Sequence, residues 1–331
     1  MKSKNLRVVE LFAGVGGFRL GLEGWKGKSS SSAYENDIES NFEVVFSNQW
    51  EPSSLVQHAN IVYENKWGSE NHCGIDINSF SNVEVPAVKT KKIVPEHDFL
   101  VGGFPCQDYS VAGVNTKGIQ GKKGVLWWNI HRLIEIRRPK FVLLENVDRL
   151  LKSPTTQRGR DFAIVLTTLS DLGYDVEWKV INAADYGMPQ RRRRVFIMAT
   201  HKKAEIKIKN PKDWVLTDGI LAESFPCKIK GAEKEFELAG DPKSISQEFN
   251  KGKFLNAGMI KGRQVTTFDY TIDEHKKLNF SKYKILNDVL IGHDKVDPEF
   301  FVDDKKELNK PLIKKQRLGS VLSYVDLNSN S

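Results

Sequence analysis

Cys106 is the residue of this chain best placed for covalent chemistry. It lies in Val101-Gly102-Gly103-Phe104-Pro105-Cys106-Gln107-Asp108-Tyr109-Ser110, just past a short apolar run. Most cysteines are small buried hydrophobes, and that reading is kept for Cys73 and Cys227. Cys106 differs because two glycines and a proline impose an unusual backbone around it. The stretch from Val111 to Gly124 is rich in glycine and lysine and reads as a loop able to close over a substrate. An ordinary thiol, with a pKa near ~8.5, is mostly protonated at neutral pH, so a nucleophilic Cys106 needs positive potential or a proton acceptor nearby. Two segments could supply neighbours. Glu145 ends the run Phe141-Val142-Leu143-Leu144-Glu145-Asn146-Val147, and Gln190 precedes four arginines, Arg191 to Arg194, that enter the apolar run Val195-Phe196-Ile197. Taken alone, a strand-end glutamate is usually solvated, and an arginine run is a basic face or address. The period of a strand puts Arg192 and Arg194 on one side, Arg191 and Arg193 on the other.

A second motif runs Val8-Val9-Glu10-Leu11-Phe12-Ala13-Gly14-Val15-Gly16-Gly17-Phe18. A strand passes through a glycine-dense turn into a helix, and glycine lets backbone approach a ligand closely. The spacing is G-x-G-G. It is not the dinucleotide pattern, because Arg19 stands where the third glycine belongs, and no Gly-Lys-Ser/Thr follows. A ligand without phosphates suits this loop; a tight turn and nothing more fits it equally well.

These residues need a frame. Arg7–Phe12, Glu43–Gln49, Asp98–Val101, Lys140–Glu145 and Arg194–Thr200 read as short strands, while Gly124–Arg137 and Asp161–Leu172 carry helical apolar spacing, the latter followed by Gly173. Alternating strands and helices predict an α/β fold: a mostly parallel sheet with helices on both faces, whose ligands bind at the carboxyl ends of the strands. After about residue 203 the segments become short, lysine-rich and interrupted. Two domains are expected, residues 1–202 and a smaller irregular one over 203–331. The 331 residues, 40% hydrophobic and 28% charged, suit a globular chain. The net charge of +8 divides evenly, +4 on each side of residue 200, so any footprint for a polyanion must come from spatial arrangement and not from a basic tail. Three cysteines without a CxxC pair argue against a disulfide framework or a zinc site. With no secretory stretch and no apolar run of ~18 residues, a cytoplasmic protein is expected.

FAGVGGF, GGFPCQ with its following serine, ENV, and QRRRR, in this order over residues 7 to about 200, resemble the cytosine-C5 DNA methyltransferase family. Phe46-Ser47-Asn48-Gln49-Trp50, Gly74-Ile75-Asp76-Ile77 and Gly124-Val125-Leu126-Trp127-Trp128 resemble its minor motifs. The resemblance implies the fold of S-adenosylmethionine-dependent methyltransferases, with S-adenosylmethionine as cofactor and S-adenosylhomocysteine as product. Phe12, Gly14, Val15 and Gly17 would line the cofactor, Trp50 would stack on its adenine, Asp76 would accept from the adenine amine with Ile77 beside it, and Pro105 and Leu126 would border the methionine end. Many members carry glutamate where this chain has Gln49, so the ribose contact falls to Gln49 or Glu51. Cys106 would add to carbon 6 of cytosine in duplex DNA, making carbon 5 nucleophilic. Glu145 would bond ring nitrogen 3 and the exocyclic amine, Arg194 the O2 carbonyl, and Arg192 would support Cys106 and a phosphate. The base must leave the helix to be reached. Gln107, Ser110 and Gln190 are implied DNA contacts, and a restriction-modification setting is implied with them.

The resemblance also sets expectations about what is missing. Residues 200–331 contain neither the arginine-threonine-rich segment nor the Gly-Asn-containing helix with which the family normally follows its target-recognition region; Arg317-Leu318-Gly319-Ser320-Val321 is the nearest approach. A truncated form, or one subunit completed by a second polypeptide, is therefore expected. A tRNA cytosine-C5 methyltransferase shares the motif set, and a catalytically silent DNA-binding subunit is the alternative of another class.

Overall fold

The computed structural model describes residues 5–25, 38–105, 126–188, 190–249, 252 and 254–273. Among them, ten strands form one sheet: β1 (Leu6–Leu11), β2 (Phe42–Asn48), β3 (His72–Cys73), β4 (Phe99–Gly103), β5 (Phe141–Val147), β6 (Tyr174–Asn182), β7 (Arg193–His201), β8 (Cys227–Glu237), β9 (Ala257–Lys261) and β10 (Gln264–Ile272). Their spatial order is β3-β2-β1-β4-β5-β7-β6-β9-β10-β8. β1 to β5 pair in parallel. β7 runs antiparallel to β5, and β9, β10 and β8 extend the sheet beyond β6 as antiparallel strands. The helices are α1 (Gly17–Glu23), α2 (His58–Trp67), α3 (Asn78–Ser81), α4 (Ala87–Ile93), α5 (Leu126–Arg137), α6 (Arg160–Asp171), α7 (Pro211–Asp213), α8 (Ile220–Ser224) and α9 (Pro242–Glu248).

Alternate residues of the central strands feed two separate cores, as the strand period requires. Val9, Leu11, Leu100, Val142, Leu144, Val195 and Ile197 pack with α5 and α6. Val8, Phe99, Val101 and Met198 pack with Phe18 and Leu22 of α1 and with Leu221 of α8. Helices therefore cover both faces, as the sequence predicts. α5 buries Trp127, Ile130, Leu133 and Ile134 along one stripe, each contributing about 1.5–3 kcal/mol. α6 is buried from Phe162 to Leu169 and stops where Gly173 turns left-handed (φ 88°).

By contacts, one unit holds Met1–Trp25, Asn36–Ile181 and Arg193–Leu278, and a second holds Lys26–Glu35, Asn182–Arg192 and Asn279–Ser331. Among the described residues after 203, β8, β9 and β10 are hydrogen-bonded into the same sheet. They look irregular in sequence because β8, CKIKGAEKEFE, is an exposed edge with few apolar residues, and charge on an edge strand discourages further pairing. No helix among the described residues is long and apolar enough to cross a membrane.

β6 carries two buried charged residues on one face, Glu177 and Lys179. Lys179 Nζ donates to the carbonyls of Val215 (3.2 Å), Leu221 (3.5 Å) and Phe225 (2.9 Å), so it binds the chain around α8 to the sheet. Glu177 lies near the Trp214 indole and the amides of Ile220 and Leu221 without closing a well-formed hydrogen bond to them. Burial pushes its carboxyl up to about 7, with Trp214 and Lys179 opposing the shift. A carboxyl raised above its ordinary value contributes stability fully present below that value and lost as pH rises through about 7. A displacement of this size corresponds to on the order of 3 kcal/mol. Glu177→Gln is therefore expected to gain thermal stability relative to the wild type as pH is raised from about 5 to about 8; melting curves over that range check it, and a constant difference would contradict it.

Candidate active site

The carboxyl ends of β1, β2, β3, β4 and β5 share one edge of the sheet, because parallel pairing brings them there. β7 reaches the same edge with its amino end, since it is antiparallel to β5 and pairs Arg194 with Val147. Glu145 and Arg194 meet at this point, Nε to Oε1 at 2.8 Å, both side chains about a quarter exposed or less. Arg194 Nη1 also donates to the Arg193 carbonyl at 2.7 Å. Arg193 turns the other way and pairs with Asp148 at 3.1 Å, which is the alternation the strand period predicts for these two arginines.

Proximity requires glycine at Gly102 of β4 and makes Gly103 a tight fit. A Cβ on Gly102 would stand 2.8 Å from the Leu11 carbonyl oxygen, and one on Gly103 would stand 3.1 Å from Glu145 Oε2. Phe104 follows, buried, and its carbonyl accepts a hydrogen bond from Asn146 Nδ2 at 2.9 Å. Asn146, itself 2% exposed, thus ties the end of β5 to the backbone two residues before Cys106. Pro105 is exposed and Leu126, the first residue of α5, is half-buried. Cys106, Gln107 and Ser110 lie outside the described residues.

The glycine turn after β1 is shaped by positive φ at Phe12 (53°), Gly14 (57°) and Gly16 (86°), the first uncommon for an aromatic residue. A Cβ on Gly16 would run into Trp67, 2.3 Å from its Nε1, whereas at Gly17 it would meet open space. The protein's own packing therefore does not demand glycine at 17, and Val15 beside it is 55% exposed. Gln49, nearly buried, accepts from the Gly14 N–H at 2.8 Å through Oε1. Trp50 leaves 38% of its surface exposed. The Glu51 backbone is bracketed by the Gln57 amide, and its side chain is exposed. Asp76 accepts through Oδ1 from the backbone and side chain of Asn78. Ile77 is 3% exposed within the main core, so it supports the floor under this loop. The turn, Trp50 and Asp76 are knitted together: Ala13 N–H donates to the Asn48 carbonyl (3.0 Å), and Asn48 Nδ2 donates to the carbonyls of Cys73 (2.7 Å) and Ile75 (2.9 Å).

Gln190 and Arg192 belong to the second unit. There a 3-10 turn, Ala183–Tyr186, ends in left-handed Gly187, and the Ala183 N–H reaches the Arg192 carbonyl at 3.0 Å. Both side chains are exposed. Sequence reasoning did not single out Asn48 or Asn146. The signal available was a buried-type strand ending in an amide side chain, at the point where strand hydrogen bonding stops and loop carbonyls need donors.

Comparison with known proteins identifies the family. The family model described as C-5 cytosine-specific DNA methylase matches residues 6–314. The Type II methyltransferase M.Sau3AI of Staphylococcus aureus is 46% identical over 281 residues, 82% of this chain and 63% of that protein. M.NgoBI of Neisseria gonorrhoeae, also a Type II methyltransferase, is 38% identical over 192 residues, 58% of this chain and 50% of that protein. The chain thus spans between half and just under two thirds of these relatives' length. Among solved structures, the Dnmt2 methyltransferase of S. pombe covers 63% of this chain and 54% of its own at 20% identity, with a TM-score of 0.43. With the family model spanning nearly the whole chain, this protein belongs to the C-5 cytosine-specific DNA methylase family.

Proposed function

We propose that this protein transfers a methyl group from S-adenosylmethionine to carbon 5 of cytosine in duplex DNA, with Cys106 as nucleophile. The observation that carries the reading is the Glu145–Arg194 pair at 2.8 Å, set against Gly103 and beside the Asn146 bond that holds the chain leading to Cys106. A cytosine opposite this pair meets a carboxyl group for ring nitrogen 3 and the exocyclic amine, and a guanidinium for O2. Cys106 sulfur then forms a bond to carbon 6, the electron pair moves to carbon 5, and Arg194 balances charge on O2. When bound, S-adenosylmethionine supplies an electrophilic methyl on a sulfonium. After transfer a base removes the carbon-5 proton, and the bond to Cys106 breaks. Arg192, exposed in its own unit, is assigned to a DNA phosphate, and Gln190, Gln107 and Ser110 to the DNA. Flipping of the target base belongs to the same reading, since none of these atoms is reachable in a stacked duplex.

The residues present fit the cofactor. Gly14 and Gly17 leave open space where other residues carry side chains, Trp50 offers an exposed ring face for an adenine, and Asp76 keeps one carboxylate oxygen without a partner among the described residues. Because the Gln49 oxygen serves Gly14, its amide nitrogen is the group assigned to the ribose, with Glu51 at the rim.

Duplex DNA carrying 5-fluorocytosine at the target is expected to trap a covalent complex with the wild type and not with Cys106→Ser, read on a denaturing gel; an active preparation that fails to trap would contradict the nucleophile. A methylation assay run in parallel on duplex DNA and on tRNA separates the two substrate classes. Asn146→Ala should lower kcat by about tenfold, the value of one buried hydrogen bond, while S-adenosylhomocysteine affinity stays near wild type; equal losses in both would make Asn146 a general scaffold residue. Trp50→Ala and Asp76→Ala should each weaken cofactor binding by on the order of 1 kcal/mol in calorimetry; unchanged affinity in both would remove them from the cofactor site.

A further inference from the structure

A buried polar network lies beneath the three loops assigned to the cofactor. It draws one residue from each of the three strands that deliver those loops. Glu10 of β1, fully buried, accepts through Oε1 from the Arg19 N–H (3.2 Å) and through Oε2 from the Tyr63 hydroxyl (3.0 Å). Glu10 and Arg19 stand at the two ends of the glycine turn, so this carboxylate closes the turn like a clasp. Tyr63 of α2, also fully buried, stacks on His72 of β3 with ring centroids 4.3 Å apart. His72 Nδ1 bonds Ser47 Oγ of β2 at 2.7 Å, and its Nε2 bonds Asn60 Oδ1 of α2 at 2.8 Å. Arg19 lies over the Tyr63 and Trp67 rings and pairs with Glu23, while Trp67 fills the space under Gly16. β1 leads to the glycine turn, β2 to Gln49 and Trp50, β3 to Asp76.

We propose that Tyr63 and His72 are positioning residues for cofactor binding, fixing the three loops in one register through Glu10, Ser47 and Arg19; this rests on the reading of those loops as the cofactor site. None of the network touches a reacting atom. Its loss should weaken cofactor binding and leave the chemical step alone. The network also titrates. Burial pushes Glu10 up to about 7, with the Tyr63 and Arg19 hydrogen bonds opposing, and burial pushes His72 down, keeping the imidazole neutral, with Glu64 opposing. Among the described residues, the other ionisable groups facing these two are Arg19, itself paired with Glu23, and Tyr63. A protonated Glu10 keeps one accepting oxygen for two donors, so the clasp loosens as pH falls through about 7.

The test is calorimetric titration of the full chain with S-adenosylhomocysteine. Tyr63→Phe, which removes only the hydroxyl, should lower affinity by about tenfold, and Ser47→Ala, which cuts the side-chain bond from β2 to His72 without disturbing a ring, by about threefold. Where both variants methylate DNA, KM for the cofactor should rise with kcat near wild type. Wild-type affinity should fall between about pH 8 and about pH 6, and that component should be absent in Glu10→Gln. Val176→Ala in β6, a cavity variant remote from the site, is the control: it should lower the melting temperature with affinity unchanged. Wild-type affinity in both Tyr63→Phe and Ser47→Ala, or a pH response equal in Glu10→Gln and wild type, would overturn the proposal. A wild type that binds no S-adenosylhomocysteine would overturn the cofactor reading itself, and that result appears before any variant is made.

Discussion

Glu145 and Arg194 meet because β7 runs against β5. In a wholly parallel sheet every strand would bring its carboxyl end to the same edge, and a guanidinium at the beginning of a strand would lie at the opposite side. Reversal of one strand brings the start of β7 beside the end of β5. The arginine then stands on a strand held on both flanks instead of on a loop, a precise support for a group proposed to contact a small planar base. The same close fit explains the two glycines of β4: the Leu11 carbonyl and the Glu145 carboxylate occupy the space their side chains would need.

The edge proposed to hold the cofactor follows a different logic. Its groups sit on loops, and loops at strand ends run out of ladder partners. Amide side chains at the ends of β2 and β5 take over that role, Asn48 for the loop before Asp76 and Asn146 for the chain before Cys106. Beneath them the Glu10–Tyr63 contact spans two elements far apart in sequence. Each bond is modest by itself. Together they turn three loops into one surface, which matters because misplacement of a bound reactant by a fraction of a bond length costs more rate than any one contact costs affinity.

Much of this was legible in the sequence. β1, β2, β4, β5 and β7 are apolar runs because central strands are covered on both faces, and α5 and α6 show their stripe. Glu145, Arg194 and the glycine turn were readable from motif order. β6 was not, because Glu177 and Lys179 alternate with Val176, Trp178 and Val180 and imitate a half-exposed strand, though both faces are buried. α2 was not, because HANIVYENKW turns Ile61 and Val62 to solvent and fully buries only Tyr63. In the sheet extension β8 was hidden by its low apolar content, β9 by its shortness and β10 by its interrupting polar residues, and the register that joins β9 to β6 has no local signature. Asn48, Asn146 and Tyr63 escaped for the same reason: their partners are distant in sequence, and only the fold supplies them.

Two buried glutamates with the same displaced ionisation do different work. Glu177 lacks a well-formed partner, so its charge is opposed by desolvation with little return, and its lysine neighbour is already committed to three carbonyls. Glu10 suffers the same desolvation but gathers two donors, one at each end of what it holds. A neutral amide could satisfy the geometry at Glu177 with gain in stability. At Glu10 an amide offers one acceptor and one donor to two donors, so the tyrosine hydroxyl must reverse its role and seek another acceptor. A buried ionisable group is worth keeping where its two oxygens are both used, and the turn that Glu10 closes is the one the cofactor is proposed to meet.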